Sequence, residues 1–125
     1  MKFSTKAEYG LRAIMHLADS KEPVSLAVIA NQEQLSLAYL ERIFALLKKA
    51  NLVTSVKGVK GGYLLKNNAN KVRVSEVIRA LEGELYKLEC SGCDVCGCKV
   101  HTVWTTLYKQ IDKTLSSMTL KSLIK

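Results

Sequence analysis

The chain has no apolar run long enough to cross a bilayer, and its opening MKFSTKAEYGLR breaks up hydrophobic residues with polar ones every few positions. Neither a membrane span nor a secretory leader is therefore expected, and a cytoplasmic protein is. Internal repeats, low-complexity stretches, a glycine-rich nucleotide fingerprint and a catalytic dyad are also lacking, which argues against an enzyme. Acidic residues are scarce where basic ones gather. Ser36 to Arg73 holds eight Lys and Arg against Glu41 alone, a net +7 out of the chain's +8. Positive charge so localised points to a polyanionic partner, with an ordinary solvated face as the competing reading until the architecture is considered.

With 125 residues, 48% of them hydrophobic, the chain can build one compact core with an appendage. Thr5-Lys6-Ala7-Glu8 has the form of a capping box, with Thr5 as N-cap, and Ala7, Leu11, Ile14 and Ala18 follow at helical spacing. Lys21-Glu22-Pro23 interrupts the chain, and Ser25 is a natural cap for a short second helix from Leu26 to about Gln32. After the link Glu33-Gln34-Leu35, Ser36 caps a third helix. Its expected buried stripe is Leu37, Leu40, Phe44 and Leu47, which leaves Tyr39, Glu41, Arg42, Lys48 and Lys49 outward, and Asn51 ends it in the left-handed conformation.

Two short helices on a tight link, the second presenting polar and basic residues, form the helix-turn-helix pattern. The next segment strengthens that reading. Leu52 to Lys57 and Tyr63 to Lys66 read as strands on either side of Gly58-Val59-Lys60-Gly61-Gly62, a glycine-rich hairpin that makes a wing directly after a recognition helix. Its glycines, Gly61 and Gly62 included, would let the backbone approach a surface, and Lys57 and Lys60 would supply cations to phosphates or a minor groove. Ser75 is expected to cap a further helix, Glu76 to Glu82, closed by Gly83. Val103, Leu107, Ile111, Leu115 and Met118 then recur at three-to-four spacing, joined by Trp104, Leu120, Leu123 and Ile124. This long apolar stripe predicts a twofold homodimer rather than a helix folded back on its own domain.

Between these helices, Cys90, Cys93, Cys96, Cys98 and His101 put five soft ligands on one polar loop that also holds Ser91, Gly92, Asp94 and Gly97. In a reducing compartment such a cluster points to metal rather than disulfides. By spacing alone a tetrahedral zinc site and an iron-sulfur cluster both fit.

The chain resembles the IscR-type family of winged-helix regulators over nearly its whole length. The resemblance rests on Lys2-Phe3-Ser4-Thr5-Lys6, Tyr9-Gly10-Leu11-Arg12, Tyr39-Leu40-Glu41 and Asn51-Leu52-Val53, and continues through Lys57-Gly58, Gly61-Gly62-Tyr63-Leu64-Leu65 and Leu81-Glu82-Gly83. In cluster-binding members the last of three cysteines stands six residues before a tryptophan, as Cys98 does before Trp104. The resemblance then implies His101 as a ligating histidine and Cys90 as the first cysteine, with Cys93 and Cys96 competing for the middle place. It also aligns Glu8 with a carboxylate that some relatives donate from the other subunit, and marks Glu41 as the position that tunes sequence preference. Two departures stand out: the compact four-cysteine loop, and Lys60 where the family often has glycine.

The expected fold is mainly α with a small β-hairpin wing: a winged helix-turn-helix domain over 1–84, a cysteine-rich loop over 85–101 and a dimerisation helix over 102–125. The expected function is that of a regulator binding a double-stranded DNA operator. Ser36, Tyr39, Glu41, Arg42, Lys57, Lys60, Gly61 and Gly62 face the DNA, and Cys90, Cys93, Cys96, Cys98 and His101, with Glu8 as an outside candidate, hold an iron-sulfur cluster, 2Fe–2S favoured over 4Fe–4S. The alternatives keep the DNA reader but give the loop a structural zinc, or no metal and control by a partner protein or metabolite.

Overall fold

The computed structural model describes residues 4–83 and 99–124, with the backbone alone for Lys99 and His101. Four helices and a hairpin come first: α1 Thr5–Ala18, α2 Leu26–Glu33, α3 Leu37–Lys49, strands β1 Val53–Val56 and β2 Gly62–Leu65, a 3-10 turn Ala69–Lys71 and α4 Val74–Glu82. A long helix α5, Lys99–Ser117, and a 3-10 turn, Lys121–Leu123, complete the described chain. The fold is thus mainly helical with a two-stranded antiparallel hairpin, as expected.

Helices α1, α2 and α3 each start where a side chain satisfies an amide of the first turn, and the helix starts are at times displaced from the sequence expectation. The cap of α1 is Ser4, not Thr5: its Oγ accepts from the Ala7 amide at 3.3 Å. Tertiary structure makes the choice, because Glu82 at the end of α4 accepts from both the Ser4 amide (2.9 Å) and the Ser4 hydroxyl. The capping box of Thr5 with Glu8 therefore does not form. Ser25 and Ser36 cap α2 and α3 as expected. α4 begins earlier than expected, with Arg73 as its N-cap residue and Glu76 Oε2 accepting from the Arg73 amide at 3.1 Å. Ser75, expected as the cap, is instead buried in the first turn, where its Oγ accepts a hydrogen bond from Ser116 at 3.0 Å.

Two left-handed residues set the angles of the reader. Gln34 (φ 56°) closes α2 and turns the chain toward α3, and Asn51 (φ 62°) turns it from α3 into the hairpin. The strands pair in the register Val53↔Leu65 to Val56↔Gly62. Val24, extended after Pro23, adds a bridge to the hairpin by exchanging backbone hydrogen bonds with Tyr63 at 3.0 and 2.9 Å. The wing is thereby tied to the start of α2. His16 Nε2 lies 2.9 Å from Glu33 Oε1 and links α1 to the end of the same helix.

The main core gathers Ile14 and Leu17 of α1, Ile29 of α2, Leu40, Ile43, Phe44 and Leu47 of α3, Val53 of β1 and Val77 and Leu81 of α4. Phe44 packs on Tyr63 with ring centroids 5.0 Å apart, joining α3 to the wing. Full burial of aliphatic and aromatic side chains of this size contributes about 1.5 to 3 kcal/mol each.

The helix expected over 102–125 stops at Ser117, and the tail returns to the winged domain. Arg73 pairs antiparallel with Thr119, the Val74 amide donates to the Met118 carbonyl and the Leu120 amide to the Val72 carbonyl, both at 2.9 Å. Leu120, read from the sequence as part of the dimer stripe, is fully buried in the main core. Leu115 and Met118 likewise pack inward, on a smaller cluster of Ala7, Val74 and Ile78. Arg79 and Asp112 join α4 to α5 at 3.0 Å, a half-exposed pair worth well under about 1 kcal/mol.

Candidate nucleic-acid interface

The buried stripe of α3 is Leu40, Ile43, Phe44 and Leu47. Leu37, expected in that stripe, is 45% exposed, and Ile43 takes its place. The face that would bury Leu37 is covered only from Leu40 onward, so one turn earlier the same face meets solvent. The open surface of α3 consequently carries Leu37, Ala38, Glu41, Arg42, Ala45, Lys48 and Lys49. Ser36 accepts the Tyr39 amide at 3.1 Å, leaving its exposed hydroxyl proton free for an outside acceptor. Tyr39, expected outward, is half-buried, its ring edge-on to Tyr9 at 6.4 Å.

The basic residues of α3 and the hairpin segment, Lys57 and Lys60 expected at phosphates among them, are all exposed, and they divide into two groups. Lys48 Nζ donates to Ser55 Oγ at 2.9 Å, tying the end of α3 to β1, and Lys66 Nζ donates to Asn51 Oδ1 at 3.3 Å. Arg42, Lys49, Lys57 and Lys60 engage no other side chain among the described residues. The last two of these stand on the wing, on either side of Val59, which is fully exposed at the tip.

Gly61 and Gly62 have a reason inside the protein. A Cβ on Gly61 would lie 2.2 Å from the Val56 carbonyl oxygen, and one on Gly62 would lie 2.4 Å from that of Val24. Gly61 thus serves close backbone packing within the wing, and Gly62 the close approach of the segment at Val24 to it. Sequence reasoning missed the Val24 bridge, which joins Val24 to a strand residue far along the chain.

Cys90, Cys93, Cys96 and Cys98 lie outside the described residues, as does the side chain of His101, whose backbone belongs to the first turn of α5. Glu8 is exposed and helps to line a shallow apolar pocket with Leu11, Ile78, Leu115 and Met118. Among the described residues no three metal-ligating side chains come together. On α5, Val100, Val103, Trp104 and Leu107 are exposed by 57, 59, 51 and 40%. No helix among the described residues is long and apolar enough to cross a membrane.

A model of the Rrf2 family, described as an iron-dependent transcriptional regulator, matches residues 3–125. Among curated proteins, the HTH-type transcriptional regulator IscR of Pectobacterium atrosepticum is 37% identical over 130 residues, covering 99% of this chain and 79% of the relative. IscR of Vibrio atlanticus is 37% identical over 131 residues, covering 100% and 76%. Of the solved structures, T. potens IscR superposes with a TM-score of 0.81 at 39% identity, over 99% of this chain and 86% of that one. The oxidized form of Staphylococcus aureus CymR does so with a TM-score of 0.79 at 35% identity, over 100% and 97%.

Proposed function

The chain belongs to the Rrf2 family and is a DNA-binding transcription regulator rather than an enzyme, and from that premise we propose that an iron-sulfur cluster held by its cysteine loop governs operator binding. The observation that carries the proposal is the donor set: four thiols and an imidazole within Cys90 to His101. Thiolates are the usual ligands of iron-sulfur clusters, and imidazole replaces thiolate in some of them. Cys90 and Cys98 would hold the cluster with Cys93 or Cys96, and His101 or the spare cysteine would complete it, with 2Fe–2S preferred. Glu8, released from any capping box, is a further oxygen donor that a second copy could offer. When bound, the cluster would supply a cross-link of the loop that depends on iron supply and redox state.

The chain's own residues support a route from that loop to the reader. The loop leaves α4 just after Glu82, which clamps the cap of α1, and enters α5, after which Met118 and Leu120 are hydrogen-bonded to Val74 and Val72 around the start of α4. Ordering the loop would set the relation of α4 to α5, and α4 packs on both α1 and α3. Only about 1 to 3 kcal/mol of difference between the two states is needed for a useful change in DNA affinity. We infer a homodimer through α5, since its exposed residues Val103, Trp104 and Leu107 form an apolar strip left open by the described residues.

Anaerobic purification tests the reading. The wild type should be coloured, with iron and sulfide in comparable amounts, and Cys98→Ala should lose the chromophore. His101→Ala should keep some of it in altered form. A colourless wild type with bound zinc would favour the structural-zinc alternative, and a Cys98→Ala protein with the wild-type spectrum would overturn the ligand assignment.

A further inference from the structure

We propose that Leu37, with Ala38 beside it, reads thymine methyl groups in the major groove. The inference rests on α3 being the helix that enters the groove. Leu37 is the first residue of α3 and is 45% exposed, whereas Leu40 one turn later is completely buried. The described elements leave close to half of Leu37 open to solvent.

Its surroundings narrow what can cover it. Leu37 has Glu41 four residues on, and Ala38 has Arg42 in the same relation, so two rows run side by side along the open face. Lys48 and Lys49 follow in the last turn, and the wing lysines lie beyond. A surface so basic suits an anionic partner. The groove edge of duplex DNA presents one apolar group, the C5 methyl of thymine, and recognition helices meet base edges with their N-terminal residues. Glu41 can accept from a cytosine amino group but has nothing to offer thymine. Leu37 fills that gap, and the small Ala38 lets the first turn come close.

The test needs no known operator. Wild-type protein is used to enrich a random-sequence duplex library, and the enriched pool is amplified with either thymidine or deoxyuridine triphosphate, which differ by the methyl alone. The thymine pool should bind about fourfold more tightly for each methyl contacted. Leu37→Asn should bind both pools alike while keeping its salt dependence, and Leu37→Met should restore the preference. Leu37 is exposed, so both variants should melt close to the wild type. Equal binding of the two pools by the wild type, or an undiminished preference in Leu37→Asn, overturns the proposal while the DNA reader stands. If no sequence is enriched at all, the assignment of α3 as recognition helix falls with it.

Discussion

Leu120→Ala tests whether the tail beyond α5 belongs to the winged domain. Leu120 is fully buried among the core side chains and its backbone donates to Val72. Truncation removes three carbons' worth of burial, about 2.4 kcal/mol at ~0.8 kcal/mol per methylene, and leaves a cavity that raises the total to about 3 to 5 kcal/mol. For a domain of this size that should lower the melting temperature by about 10 °C or more. Leu123, three residues on and 39% exposed, serves as the control, since its truncation should cost less than about 1 kcal/mol. Thermal melts followed by circular dichroism, each at two protein concentrations, separate the possibilities. A core residue costs the same at both concentrations, whereas an interface residue is partly rescued at the higher one. A loss no larger than that of Leu123→Ala, or one that fades with concentration, would refute the reasoning and return Leu120 to the dimer stripe.

Duplex binding should weaken steeply with salt because the cations of α3 and the wing displace counterions from phosphates, and a flat plot of log affinity against log salt would exclude this interface. Lys57→Ala, which removes an exposed wing cation, should weaken binding to all sequences alike and reduce the salt slope by about one. Glu41→Ala should instead change which sequences an enriched library contains, and equal effects of these two substitutions would contradict the division of labour. Leu107→Glu should yield monomers in sedimentation with poor operator binding, since Leu107 is 40% exposed on the open strip of α5; an unchanged dimer would rule out that interface.

Much of the reader was legible in the residues because its signals are local. Ser25 and Ser36 cap their helices, Asn51 adopts the left-handed turn, Gly83 ends α4, and Val53–Val56 and Gly62–Leu65 pair across a glycine-rich tip. Each depends on the chemistry of a few neighbouring residues. The concentration of cations between Ser36 and Arg73 is likewise a property of the chain itself. What tertiary structure decided is which of several locally acceptable arrangements wins. Ser4 and Thr5 could both cap α1, and Glu82, far along the chain, selects Ser4. Leu37 and Ile43 both fit a helical stripe, and the extent of the covering elements buries one and exposes the other. Leu115, Met118 and Leu120 continue the periodicity of α5, yet the chain turns after Ser117 because Val72 and Val74 offer it backbone partners and the core has room for Leu120. Periodicity reports that a side chain seeks cover, and only the packed fold determines whether that cover comes from its own domain.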